Sequence, residues 1–197
     1  MAGAETSSTT IAFALAELAN NVEYQEKLRE EIIANTSREN NEISYETLQE
    51  MTYLNQIVNE TLRMYTNGLI LIRQANEDYK IENSSHIIPK GADVWIPMIG
   101  IHFDEKYWKH PEKFDPERFT QEEIAKRPNH CYLPFGDGQR NCIGMRYALL
   151  IVKYGLALII KNFKVTSNPK MKYPIKLNPK TPMMEPIGGY WINIEKV

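Results

Sequence analysis

The sharpest chemistry in the chain lies in one ten-residue run, Phe135-Gly136-Asp137-Gly138-Gln139-Arg140-Asn141-Cys142-Ile143-Gly144. It sets a cysteine on a glycine-rich loop just ahead of a predicted helix N-terminus. Gly136 and Gly138 permit tight turns and positive φ. Amide donors near Cys142 would stabilise a thiolate by hydrogen bonding and by the helix dipole. Arg140 adds a positive charge two residues away, and the Phe135 ring can pack beside the sulfur. This arrangement suits a soft metal ligand. The plain alternative is a buried structural cysteine beside a turn. That alternative is the reading given to Cys131, because free cysteines are usually small core residues.

Two further clusters precede the loop. In Glu60-Thr61-Leu62-Arg63 the acid and base share one helix face. Taken alone, they read as a surface ion pair of small worth. In Ala2-Gly3-Ala4-Glu5-Thr6, Glu5 and Thr6 can do acid–base work. Together with Ser7 they are also what a helix start favours. His102 and His130 lack metal-site spacing with other donors and read as structural. Gly136 and Gly138 lack a third glycine at the offset that a dinucleotide site requires.

In this order the three clusters resemble the cytochrome P450 family. The family's haem-binding signature, Phe-x-x-Gly-x-Arg-x-Cys-x-Gly, is complete from Phe135 to Gly144. The resemblance implies that Cys142 ligates the iron of haem b (iron protoporphyrin IX), with Phe135, Arg140 and Gly144 in the cofactor-binding loop. It implies that Arg73 and Arg140 pair with the haem propionates, a task that suits the guanidinium fork. Ala2-Gly3-Ala4-Glu5-Thr6 is similar to the family's oxygen-activation motif. Gly3 would leave room for dioxygen, and Glu5 and Thr6 would be the catalytic proton relay. Glu60 and Arg63 match Glu-x-x-Arg. With Arg118 of Pro116-Glu117-Arg118-Phe119 they would form a buried charge triad, structural rather than catalytic.

The implied reaction inserts one oxygen atom from dioxygen into a small apolar organic substrate. Electrons would come from NADPH through an NADPH-cytochrome P450 reductase. A full-length relative would sit on the cytosolic face of the endoplasmic reticulum membrane, held by an N-terminal anchor absent from this sequence. The signature and residues 27–31 look most like insect microsomal enzymes of the xenobiotic-handling type. Where the family has prolines, this chain reads Tyr65-Thr66-Asn67-Gly68; that segment lines the substrate pocket in relatives. Met183 and Met184 would add a soft, adaptable wall. The resemblance covers roughly the last two-fifths of a family chain, so one side of a haem would be exposed, with weak haem retention and no coupled turnover expected. The rival readings are a truncated, non-catalytic product and a haem-binding or redox-sensing module.

The elements that must position these residues follow from composition and periodicity. A length of 197 residues, 43% hydrophobic and 24% charged, suffices for one domain portion with a core, taken as residues 1–197. A net charge of -2 with no basic run argues against nucleic acid and against an anionic membrane surface. Two cysteines exclude a disulfide framework and point to a reducing compartment. The most apolar stretch, 148–160, is broken by Lys153 and too short to span a bilayer. Sequons at Asn35, Asn59 and Asn83 are read as chance triplets. Met1 leads straight into a helix, which suggests a piece of a longer chain.

Ile11, Ala14, Leu15, Leu18, Ala19 and Val22 predict a one-faced helix. Residues 22–34 predict a charged helix with Glu23, Glu26, Lys27, Arg29 and Glu30 on a solvated face. A polar loop covers 35–42, and Ser44 reads as an N-cap. A stronger helix is predicted over 52–65. Short runs at 68–75, 79–81, 87–88 and 93–97 predict a small antiparallel sheet. Residues 103–142 read as irregular chain wrapped around a function. A helix over 144–161 and strand-like pieces including 189–194 complete a fold that is mainly α with minor β: the C-terminal part of the cytochrome P450 fold.

Overall fold

A computed structural model describes residues 2–36, 41–181 and 183–197. Met1 and part of the polar loop expected over 35–42 lie outside the described residues. The first helix, α1 (Ala2–Asn20), runs through the centre. Its residues 13–19 are buried on every side, Phe13, Ala16 and Glu17 included. That differs from the one-faced helix expected, and the reason is tertiary: α1 packs against five later elements, among them the last two strands of the chain.

The second helix, α2 (Val22–Thr36), corrects the charged-face expectation at Arg29. Arg29 and Gln25 are buried. The Arg29 guanidinium donates to the carbonyls of Ile160 and, at 2.8 Å, Phe163. Gln25 donates to Val165 O at 2.8 Å and accepts from its N–H at 2.9 Å. Lys27 pairs across space with Glu117 rather than along the helix with Glu23. A short α3 (Tyr45–Glu50) starts where expected: Ser44 Oγ accepts the Thr47 N–H at 3.1 Å. Helix α4 (Thr52–Met64) buries Leu54, Ile57, Val58 and Leu62. Its free N-terminal amides at Tyr53 and Leu54 are capped by the Glu31 carboxylate at 2.7 and 2.8 Å.

The middle segment forms two separate ribbons rather than one sheet. β1 (Leu71–Gln74), β2 (Tyr79–Lys80), β3 (Ile87–Ile88) and β4 (Asp93–Ile96) pair antiparallel as β1 with β4 and β2 with β3. A one-turn helix, α5 (Met98–His102), follows. The irregular stretch holds α6 (Gln121–Lys126), capped by Thr120 Oγ1 on Glu123 N at 3.3 Å. A 3-10 turn over Pro116–Phe119 and aromatic packing add further order. Trp108, Phe119 and Cys131 form a small core, with Tyr132 against it.

The long α7 (Met145–Asn162) crosses α1 closely at Gly155, where a Cβ would come within 2.9 Å of Ile11 Cδ1. The chain closes with β5 (Phe163–Ser167) paired antiparallel to β6 (Ile192–Lys196). β6 starts later than expected because Gly188 and Gly189 sit at positive φ and belong to the turn before it. Among the described residues, no helix is long and apolar enough to cross a membrane.

Candidate functional site

The cysteine loop is a chain of tight turns that leaves the Cys142 side chain outward. Gly136 and Gly138 adopt φ of 72° and 73°, a region costly for any residue with a Cβ. Gly136 N–H donates to Leu133 O at 3.0 Å, and Cys142 N–H reaches back to Phe135 O at 2.8 Å. Asp137 Oδ1 accepts the Gly138 N–H at 2.7 Å and starts a single 3-10 turn over Gly138–Arg140. The Cys142 carbonyl accepts from Met145 N, the first residue of α7. Both backbone groups of Cys142 are thus committed while its thiol is free and exposed. That removes the alternative of a buried structural cysteine. Cys131 is the buried one, and its thiol donates to Pro128 O at 3.1 Å.

Cys142 lines a cleft of about 300 Å³ between α1, β1, the cysteine loop and the start of α7. Phe135, Leu71, Leu149 and Val152 give it apolar walls, and Arg140 adds a cation. A Cβ at Gly144 would lie 4.0 Å from the Cys142 sulfur, an ordinary van der Waals contact. Such a site, a thiol and a guanidinium against apolar walls, can hold a flat apolar group bearing a soft metal and carboxylates.

The structure brings some of the sequence-selected residues together and leaves others apart. Thr6, Phe135, Arg140 and Cys142 share the cleft. Glu5 is exposed and not among the cleft's lining residues. Arg73 is half-buried on β1, away from the lining, and donates to Ile72 O at 3.0 Å. Sequence reasoning missed Ser7 and Thr10, which line the cleft with Thr6 and Asn67. The spacing held a signal, since Thr6 and Thr10 are i, i+4 and Ser7 and Thr10 are i, i+3 on one helix. Met183 and Met184, expected as a pocket wall, do not line this cleft, and Met184 is buried in the main core.

Behind the loop stands the charge triad. Arg63 Nε and Nη2 hold the Glu60 carboxylate at 2.7 and 2.8 Å, with neither side chain exposed. Arg63 Nη1 and Nη2 also donate to His102 O and Pro111 O, each at 2.8 Å. Asp115 N–H adds a bond to Glu60 at 2.9 Å, and Arg118 Nε lies 3.4 Å from it, an ion pair rather than an aligned hydrogen bond. Burial pushes the Glu60 carboxyl up, and the Arg63 pairing pulls against it.

His102 links this anchor to the cysteine loop. Its Nδ1 meets Arg63 O at 3.1 Å, and its Nε2 accepts the Leu133 N–H at 2.9 Å. One nitrogen must donate and the other accept, so the ring is neutral. Burial holds its pKa down to about 4.

Comparison with known proteins agrees with this geometry. The family described as Cytochrome P450 matches residues 1–192. The chain is 44% identical over its whole length to "Probable cytochrome P450 6a23" of Drosophila melanogaster, covering 39% of that protein. It is 42% identical to "Cytochrome P450 6A1" of Musca domestica, all of this chain against 40% of the relative. The chain therefore spans about two-fifths of the length of the curated relatives it matches. A match across nearly every described element, and over the cysteine loop and the Glu60–Arg63 anchor alike, makes this chain a member of the cytochrome P450 family.

Proposed function

We propose that the chain is the C-terminal portion of a single cytochrome P450 domain whose whole protein is a haem-thiolate monooxygenase. The observation that carries this reading is the outward thiol of Cys142 on a backbone committed on both sides, facing an apolar cleft with a guanidinium in its wall. Haem b bound there would supply the activation of dioxygen, with the Cys142 thiolate pushing electron density onto the iron.

The chain's own residues do the remaining work. Cys142 would hold the metal, with the Phe135 ring in the same cleft wall. Arg140 meets a propionate, and Arg73 takes that role only if its side chain swings off the Ile72 carbonyl. Thr6 holds a proton at the cleft. Glu5, on the exposed side of the same turn, would feed protons to Thr6 from solvent. The substrate is a small apolar organic molecule, and electrons reach the site from NADPH through a reductase. The whole protein would work at the endoplasmic reticulum membrane.

The test is the absorbance spectrum of the chain mixed with haem, reduced and exposed to carbon monoxide, beside Cys142→Ala. A red-shifted thiolate-type Soret band that vanishes in the variant is expected. If the band fails in both, the same pair is compared in the full-length protein. Equal spectra for both full-length proteins would overturn the ligand assignment.

A further inference from the structure

A second cavity, of about 310 Å³, lies between α4, α6 and α7. It shares only Leu149 with the lining of the Cys142 cleft, so the two are separate. One face of α4 lines it with Thr52, Asn55, Gln56 and Asn59, spaced i, i+3, i+4 and i+7. From α7 comes Lys153.

Lys153 breaks the usual rule for buried lysines, which is that they are paired. It is 8% exposed. Among the described residues no carboxylate pairs with it and no acceptor bonds its ammonium. Burial alone pushes its pKa down, with no charge beside it to oppose that. Its nitrogen still touches solvent, since it is not among the fully buried unpartnered atoms. The four-carbon stem lets that ammonium adjust its place in the cavity.

Two amides on the α4 face also have a free end. Gln56 Nε2 and Asn59 Nδ2 bond nothing in the protein and keep contact with solvent. They are three residues apart, hence neighbours on the helix surface. Asn59 Oδ1 accepts the Tyr132 O–H at 3.0 Å, which leaves its NH2 for a ligand. An amide can turn either atom outward, and an anion draws the NH2.

We propose that this cavity binds a carboxylate on a small apolar body, with Lys153 as its counter-ion and Gln56 and Asn59 as flanking donors. An unpaired buried charge is costly, and an anion supplies the missing partner. One cation balances one negative charge. The Glu31 carboxylate stands at the rim, where it accepts from Thr52 Oγ1 at 3.3 Å and caps α4. A dianion such as phosphate meets more repulsion from it than a monoanion does. Ile124 and Leu149, both partly exposed, offer the ligand body an apolar wall. The site stands apart from the haem reading, because no residue assigned to haem takes part in it.

The test is isothermal titration calorimetry on the full-length protein, with benzoate, its uncharged isostere benzamide, and inorganic phosphate. Wild type is expected to bind benzoate about tenfold more tightly than either of the others. Lys153→Met should remove that preference by weakening benzoate and leaving benzamide unchanged, while Lys153→Arg should keep it. Gln56→Glu, which sets a like charge in the wall, should weaken benzoate several-fold. Circular dichroism checks that each variant is folded. Equal binding of benzoate and benzamide by wild type would overturn the proposal, and so would an undiminished preference in Lys153→Met. Phosphate binding tighter than benzoate would overturn the choice of a monocarboxylate. A carboxylate supplied to Lys153 by the rest of the full-length protein would leave wild type without benzoate binding, which also overturns the proposal.

Discussion

The Arg63 anchor and the Cys142 loop are neighbours joined through His102, yet they are built on opposite terms. At Arg63 every side-chain group is matched: two bonds to Glu60 and two to carbonyls from α5 and from the chain beyond it. At Cys142 the backbone is tied and the side chain is left bare. The anchor spends its chemistry on position and holds none for reaction. The loop keeps one reactive atom and borrows its position from the anchor, by way of the Leu133 N–H on His102. Order and reactivity thus sit on different residues, joined by one imidazole.

That contrast can be broken most sharply at the anchor. Arg63→Met leaves Glu60 buried with little to balance it, and should cost about 3–5 kcal/mol in urea unfolding. Adding Glu60→Met should recover part of the loss, since a removed pair is less harmful than a half-removed one. A loss below about 1 kcal/mol would mean that the triad is not the anchor.

His102 should sharpen the contrast through pH. Its folded pKa, about 4, lies below its ordinary value near 6.5. The unfolded chain therefore binds the proton first as pH falls. The His102 contribution is complete above about pH 6.5 and is lost progressively toward about pH 4, by up to roughly 3 kcal/mol. Glu17 runs the other way: burial raises its carboxyl, so folding favours its protonation as pH falls. Chemical unfolding of wild type against His102→Phe across this window isolates the histidine, whose removal should flatten the slope.

Smaller effects belong to the loop. Gly136→Ala forces a Cβ into positive φ and should cost about 1–2 kcal/mol in thermal unfolding. Cys142→Ala, at an exposed site, should change stability by no more than about 0.5 kcal/mol. The residue with the largest proposed role would then have the smallest structural one. A Cys142→Ala penalty near that of Arg63→Met would erase the distinction between the two regions.

Much of this contrast is legible in the sequence, and the reason is local. Gly136, Gly138 and Cys142 hold fixed spacing within one loop, so the turn can be read from residue types alone, whereas the exposure of the thiol comes from the fold. Glu60 and Arg63 are three apart on one helix, but their burial depends on chain from 102 to 118 folding over them. Without the family resemblance, the same pair reads as surface decoration. Arg29 shows the limit most clearly. Its neighbours are charged, and its partners at Ile160 and Phe163 lie far along the chain. No local pattern announces that burial. The α6 helix was silent for another reason: it buries no residue, so it has no apolar stripe to detect. Its trace was the Thr120 cap with Glu123 at the third helical position.

The Gln25 and Arg29 contacts also bear on how the chain is made. Gln25 and Val165 are separated by 140 residues, and Arg29 reaches almost as far. On a ribosome adding roughly 5–20 residues per second, α2 would wait on the order of ten to thirty seconds for those partners to be synthesised. During that interval Gln25 and Arg29 have only water, each other, Leu18 O and the Glu26 carboxylate to bond. The helix that looks most solvated in the sequence is thus solvated for a time, until the last strands emerge and draw it in.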